Sequence, residues 1–308
     1  MTERDREQVA KRVTAVAVAL VVAGVVVAGL PSTRPWALPT TATQDRSSWA
    51  MPLDQYIGVG DIRVGYAQEL MIEKCRTDEG GDGSRVPWRD VDAATTAAER
   101  QPTRAFDLDQ AEARGYHVPP TDDPGEAAWR EFVLRPVSAA ESAARDRCVD
   151  KLYSEHPELL SGYLGTGTGT VGDIATRLSD AAFRDARDDD AVLDTVPAWL
   201  ECLQPVAAAG WELPPTPAGM PTDAMAGAFA SSDPTTPVTE AELDVATADA
   251  ACRESSGYLD ALYDAEWEHQ LTVPHDYGER LSQVDTGAVA AAKRTVADAL
   301  ARLTPPAP

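Results

Sequence analysis

The chain has 308 residues, of which 44 % are hydrophobic and 6 % aromatic, and a formal net charge of −23 at neutral pH. This length is enough for one large domain or two small lobes with a substantial core. So acidic a surface repels nucleic acid and anionic lipid headgroups, which excludes nucleic acid as an expected partner. It favours cations or a basic protein instead.

The N-terminal part consists of a charged segment, residues 1–12, and an apolar run at 13–30. The run has 18 residues with Thr14 as its single polar side chain, and a helix of that length spans about 27 Å. Lys11 and Arg12 at its edge favour a cytoplasmic N terminus. Because cleavable signal cores have only about 7–15 apolar residues, the sequence predicts a retained signal anchor. A cleaved signal peptide, which would give a secreted protein, and a buried soluble helix are the alternatives.

Residues 31–50 are polar, contain several prolines and lack a helical period. This pattern predicts a flexible tether that holds a folded ectodomain away from the membrane. Trp36 and Trp49 lie in this segment, where we expect them to act as aromatic anchors at the membrane interface. The remaining ranges are an ectodomain at 51–303, with optional lobes at 51–160 and 171–303, and a tail at 304–308.

Few β-branched or aromatic residues remain outside the apolar run, and alanine dominates the hydrophobic fraction. Such a chain has little with which to build sheet faces, so we predict an all-α fold, a disulfide-braced helical bundle. Ser138 and Thr239 each precede a glutamate by three residues, the spacing of a capping box that opens a helix. The predicted helices cover 52–76, 108–114, 138–154, 173–187, 192–203 and 285–303. Another long helix is predicted to start at 239 and to break or kink at Pro274. A long loop is predicted over 214–237.

All four cysteines lie beyond the apolar run, in the part of the chain that we expect to be exported. Four thiols in an oxidising compartment usually pair, and three connectivities exist. We predict the pairs Cys75–Cys148 and Cys202–Cys252, because each cysteine lies on the apolar face of a predicted helix and each pair lies within one half of the chain. No two cysteines have the close spacing of a zinc site or a C-x-x-C redox motif, so we expect no metal and no cofactor.

Five short segments resemble a group of uncharacterised exported helical proteins from high-GC Gram-positive bacteria. They are ELMIEKC at 69–75, GYH at 115–117, WLEC at 199–202, GW at 210–211 and E-x6-DAAC at 242–252. The resemblance extends from about residue 52 to 272. It implies a location in the envelope beside transport systems and carries no known activity. This chain departs from the group at 76–83, which is acidic instead of aromatic, and at Pro274, which interrupts the usually continuous last helix.

Three motifs suggest chemistry but lack the context that it needs. The G-x-G-x-x-G pattern at 167–172 has no preceding strand, so it predicts a loop and not a dinucleotide site. The segment that starts at Asp78 resembles a calcium loop, but it has Gly80 and Arg89 at ligand positions. His269 and His275 lie near carboxylates without the H-E-x-x-H spacing of a zinc hydrolase. We interpret His117 as part of a packed turn and Trp199 as a core residue.

The sequence therefore favours a non-enzymatic, membrane-tethered helical protein of the cell envelope, which contacts other envelope or transport components. An acidic extracytoplasmic receptor for a solute or a cation is the first alternative, and it requires a cleft lined by carboxylates and tryptophan. An exported hydrolase is the second alternative, and it requires that His269, His275 and a carboxylate converge.

Overall fold

The computed structural model describes residues 34–81, 85–92, 104–117, 124–160, 170–233 and 236–308. Within these ranges the protein is mostly helical, which confirms the predicted class, and a short two-stranded ribbon joins two distant segments. No helix in the described ranges is both long and apolar enough to cross a bilayer. The apolar run at 13–30, for which the span was predicted, lies outside them.

Thirteen α-helices occur in the described residues, and several are single turns. They are α1 (Asp61–Asp78), α2 (Leu108–Arg114), α3 (Glu126–Leu134), α4 (Ala139–Glu155), α5 (Val171–Ala186), α6 (Asp190–Leu193), α7 (Val196–Cys202), α8 (Gln204–Ala208), α9 (Asp223–Phe229), α10 (Glu240–Ser255), α11 (Tyr258–Gln270), α12 (His275–Leu281) and α13 (Thr286–Leu303). The strands are β1 (Pro35–Ala37) and β2 (Thr272–Pro274).

Local capping signals account for several of the helix starts. The hydroxyl of Ser138 accepts a hydrogen bond from the backbone N–H of Glu141 at 3.1 Å, and α4 begins there. The hydroxyl of Thr239 does the same for the N–H of Glu242 at 3.2 Å and starts α10. Each cap satisfies a backbone donor that a helix start leaves without an intrahelical acceptor. Both predicted capping boxes therefore mark real helix boundaries.

Three predicted boundaries differ from the structure. The helix predicted over 52–76 is divided into a 3-10 turn, Pro52–Tyr56, and α1. The loop predicted over 214–237 contains α9. The long helix that starts at 240 ends before Gly257, which has a φ of 76°, so α10 and α11 are separate well before Pro274. Pro274 instead ends β2 and precedes α12.

The C-terminal helix completes a core that the first half of the chain begins. Ala292 and Val296 of α13 are buried in one cluster with Val64 of α1 and Leu152 of α4. Helices α1, α4 and α13 thus form one packed group, although more than 200 positions separate α1 from α13 in sequence. A second group is built on the contact between α5 and α11, and a third on the contact of α10 with α2 and α7.

Residues 34–50 differ from the flexible tether that we expected, because the part of this segment that the structure describes packs on the body. Strand β1 pairs antiparallel with β2, with Trp36 opposite Val273. Leu38 follows and is buried in one cluster with Val273 and Leu281. The backbone N–H of residue 45 donates to the hydroxyl of Tyr263 at 2.7 Å. An apolar side chain and several backbone donors in the segment thus find partners more than 200 positions away.

Candidate functional site

The four cysteines form the two predicted disulfides. Cys75 of α1 joins Cys148 of α4 with their Cα atoms 5.8 Å apart, and Cys202 at the end of α7 joins Cys252 of α10 at 5.6 Å. Both separations lie in the range that disulfide geometry requires. Within the described residues, the one convergence of three metal-ligand side chains is Cys75, Cys148 and Glu79. Since both sulfurs there are bonded to each other, the thiolates that a metal would need are absent.

Next to the second disulfide lies a fully buried carboxylate, that of Asp249. It accepts hydrogen bonds from the indole N–H of Trp199 at 2.9 Å and from the hydroxyl of Tyr116 at 3.1 Å. The guanidinium of Arg253 donates to both of its oxygens, at 2.9 and 2.8 Å. One carboxylate thus connects α7, α10 and the turn after α2, and we call this set of four residues the Asp249 cluster.

The Asp249 cluster combines charge compensation with exclusion of water. Arg253 is 8 % exposed, and it also donates to the backbone carbonyl of Pro217 at 2.7 Å. Its guanidinium lies over the ring of Phe106, 5.2 Å from the centroid. Burial and the charge of Asp249 raise the pKa of Tyr116, which therefore stays protonated and acts as a donor. Every member holds a neighbouring element in place.

His117 in the turn after α2 forms a second buried pair with Glu242 of α10. One imidazole nitrogen, Nδ1, lies 2.9 Å from Oε1 of Glu242, and the backbone N–H of Tyr116 donates to the same oxygen at 2.9 Å. Gly115 starts this turn with a φ of 55°, and a Cβ there would lie 2.8 Å from Oε1 of Glu242. Glycine is therefore required both by the backbone angle and by the close approach. This places His117 in a packed turn, as interpreted from sequence.

Four of the five segments that carry the resemblance meet in this region, and the fifth, at 69–75, lies at the first disulfide. Trp199 and Asp249 each precede a cysteine of the second disulfide by three positions. The hydrogen bond between their side chains therefore lies one helical turn from the disulfide. Trp211 of the GW segment packs against Phe229, with ring centroids 5.0 Å apart. The same spacing of three positions, from Trp199 to Cys202 and from Asp249 to Cys252, was a sequence signal for this contact that our prediction did not use.

An open cavity of about 460 Å³ lies beside the other end of the contact between α2 and α10. Its wall includes Leu108, which is 44 % exposed, and its floor includes the buried residue Leu259. Carboxylates of Asp107, Asp109 and Glu254 line it. No tryptophan lines it, unlike the cleft that the receptor alternative required. The side chain of Asp107 accepts from the N–H of Gln110 and thereby caps α2.

Glu254 at this cavity already binds a cationic side chain of the same chain. Arg46 donates through both terminal nitrogens to the two oxygens of Glu254, at 2.9 and 2.7 Å. Its Nε contacts Asp260 at 2.7 Å. The hydrogen bond from Arg46 lowers the pKa of Glu254. This ion pair holds the segment that follows β1 against α10 and α11.

A fully buried acidic residue, Glu266 of α11, also binds the N-terminal segment. It accepts from the indole N–H of Trp49 at 2.8 Å and from the amide of Gln270 at 2.9 Å. Arg104 lies 3.1 Å from it. Burial raises the pKa of Glu266, and the charge of Arg104 opposes that rise. Trp49, for which we expected a contact with the membrane, therefore binds a buried side chain of the protein itself.

The two histidines of the hydrolase alternative, His269 and His275, do not converge. Nε2 of His269 lies 3.7 Å from Asp189, and Nδ1 of His275 lies 3.8 Å from Asp276. The imidazole of His275 is in edge contact with the ring of Trp36, with 5.0 Å between centroids. The arrangement that a hydrolase at His269 and His275 requires is thus not formed by the described residues. Residues 167–169 of the glycine-rich motif and 82–84 of the calcium-like loop lie outside the described ranges.

Comparisons with protein-family models, curated proteins and solved structures gave no match to this chain. The resemblance described above thus stays a prediction.

Proposed function

We propose that this protein is a non-enzymatic, membrane-tethered module of the cell envelope that contacts other envelope or transport components outside the cytoplasm. The observation that carries the proposal is the pair of disulfides, one in each of two helix groups. Disulfides persist in oxidising compartments and are rare in the cytosol. The apolar run at 13–30, with Lys11 and Arg12 before it, supplies the means of export and attachment.

The buried ionisable groups support a structural and non-catalytic role. Asp249 and Glu266 are both fully buried, and each is surrounded by donors from several elements. A general base or a nucleophile must reach its substrate, whereas these carboxylates are enclosed by tryptophan and arginine side chains. They connect helices and hold the first residues of the ectodomain on the body. The same bonds produce a rigid module suited to presenting a surface.

The surface itself supports contact with a partner. Residues 1–12 contribute +1 to the total charge of −23, so the rest of the chain carries −24. A field of this size attracts basic partners and accelerates their association. Apolar side chains are exposed at the end of α3, where Leu134 is 74 % and Val133 is 52 % exposed. Exposed apolar groups beside charged ones are typical of surfaces that bind proteins.

Fractionation and crosslinking of the full chain test the proposal. We expect the protein in carbonate-washed membranes, digestible by protease added outside intact spheroplasts, and alkylated at its cysteines only after reduction. Crosslinking in those membranes should enrich an envelope protein over a control in which residues 1–30 are fused to an unrelated domain. Free thiols, a cytosolic location, or enrichment no greater than in the control would contradict the proposal.

The cavity between α2 and α10 favours a second candidate, a receptor for a cationic solute. Its apolar floor and three carboxylates provide a site for an organic cation, and its volume of about 460 Å³ lies within the range of ligand pockets. Titration calorimetry with a small organic cation, for which arginine methyl ester is the probe, tests this. Asp109→Asn should weaken the binding, and the exposed Asp298→Asn should leave it unchanged. Equal heats for all three proteins would exclude the receptor.

A further inference from the structure

We infer that the ribbon β1–β2 and helix α12 form the face of the ectodomain that lies against the bilayer. This inference rests on the proposed function, because it requires that residues 13–30 cross the membrane. Its independent basis is that the first residues that the structure describes, from Arg34 onward, pack on the body. We call these elements the ribbon face, comprising residues 34–37 and 272–281.

The connection between the apolar run and the ribbon face is short. The backbone N–H of His275 donates to the carbonyl of Arg34 at 2.9 Å, so the body holds the chain from residue 34 onward. Only residues 31–33 separate Arg34 from Leu30, the last residue of the run. Four steps of fully extended chain span at most about 14 Å. Arg34 therefore cannot lie further than that from Leu30.

The thickness of the bilayer converts this limit on the distance between Leu30 and Arg34 into a position for the ribbon face. A helix of 18 residues, the length of the apolar run, is about 27 Å long, slightly shorter than a hydrocarbon core of about 30 Å. If the run crosses the bilayer, as the proposed function requires, Leu30 lies at or just inside the edge of the hydrocarbon and not beyond it. The polar headgroup layer adds about 5–8 Å on each side. The ribbon face is consequently held at the headgroups or within about one helix diameter of them.

The ribbon is firmly attached to the body, so the body shares this position. Trp36 lies across α12, where a Cβ on Gly278 would overlap its ring. Leu38 is 5 % exposed in the core, and its N–H donates to the carbonyl of Leu271 at 2.8 Å. The contacts of Arg46 and Trp49 continue the attachment along α10 and α11. A rigid start of this kind leaves the ectodomain little freedom to swing away.

The net charge of the ribbon face is more compatible with a bilayer surface than the net charge of the rest of the protein. Its exposed ionisable side chains are two basic and two acidic residues, so their formal charges cancel: Arg34, Arg280, Asp276 and Glu279. The part of the chain beyond the first 12 residues carries −24 in total. Anionic headgroups would repel most of that surface. The near-neutral face is the one that the short connection places next to them.

Quenching of a fluorophore by nitroxide-labelled headgroups tests the inference. All four native cysteines are in disulfides, so Glu279→Cys in full-length protein takes up a thiol-reactive dye at one position. The protein is reconstituted into vesicles of phosphatidylcholine and phosphatidylglycerol that contain nitroxide headgroup lipid. The matched control has the same label and 20 Gly/Ser residues inserted after residue 31, which gives a connection of about 25 Å root-mean-square length.

We expect strong quenching in the native connection and loss of most of it in the extended control. If both proteins remain in carbonate-washed membranes but the label is quenched weakly, or equally with and without the insertion, the inference is wrong and the membrane attachment stands. If the chain is instead cleaved after its apolar run and released, the attachment and the inference both fail. Native mobility on a non-reducing gel confirms that the inserted residues leave the body folded.

Discussion

Removing the charge of Asp249 tests whether the buried cluster holds the helices together. Asp249 is fully buried and Arg253 is 8 % exposed, so Asp249→Asn leaves a buried guanidinium without its counter-ion. It also places an amide donor against the N–H of Trp199 or the groups of Arg253. Breaking a buried ion pair by removing one partner costs about 3–5 kcal/mol. We expect a loss of that size in the free energy of unfolding.

Urea denaturation followed by tryptophan fluorescence measures this loss. The matched control is Asp298→Asn, which removes an exposed partner of Arg302 and should cost no more than about 0.5 kcal/mol. Replacing both buried partners, as Asp249→Leu with Arg253→Met, should recover part of the loss because no unpaired charge remains. If Asp249→Asn and Asp298→Asn have equal effects, Asp249 does not play the structural role that its four donors indicate.

Two further substitutions address the turn after α2 and the attachment of the N-terminal segment. Gly115→Ala should destabilise the protein by about 1–3 kcal/mol, because it combines a left-handed backbone with an overlap on Glu242. The control Gly227→Ala, with open space around the new Cβ, should be neutral or stabilising by up to about 1 kcal/mol. Equal melting temperatures for the two variants would refute this contrast. Arg46→Gln should lower stability at pH 7 and by a smaller amount at about pH 3. The hydrogen bond from Arg46 lowers the pKa of Glu254 below its ordinary 4.5, so the stabilisation is fully present above that ordinary value and decreases as the pH falls. An equal difference at both pH values would show that Arg46 acts by packing alone.

Much of the fold followed from local signals. Capping residues identified the starts of α4 and α10. The disulfides followed from the positions of the cysteines on predicted apolar helix faces. Helix α9 was missed although Thr222 supplies its cap by accepting from the N–H of Met225 at 3.3 Å. We predicted a loop at 214–237 from its prolines alone.

The ordering of residues 34–50 could not be predicted, because every contact that produces it is distant in sequence. Trp49 and Glu266 are 217 positions apart, and Asp45 and Tyr263 are 218 apart. In its own sequence, the segment shows only the features of a linker: it is polar, contains several prolines and lacks a helical period. The buried carboxylates were missed for the same reason, since their donors come from several helices. Sequence showed Asp249 only as a polar position on a helix that also carries Cys252.

Mapping the disulfides in protein isolated from its native membranes tests the central claim most directly. Digestion without reductant must include cleavage at glutamate, because no lysine or arginine separates Cys202 from Cys252. We predict linked peptides that join Cys75 to Cys148 and Cys202 to Cys252, detected by mass spectrometry. Free thiols at these positions, or a link between Cys75 and Cys202, would contradict the account of an exported, disulfide-braced module.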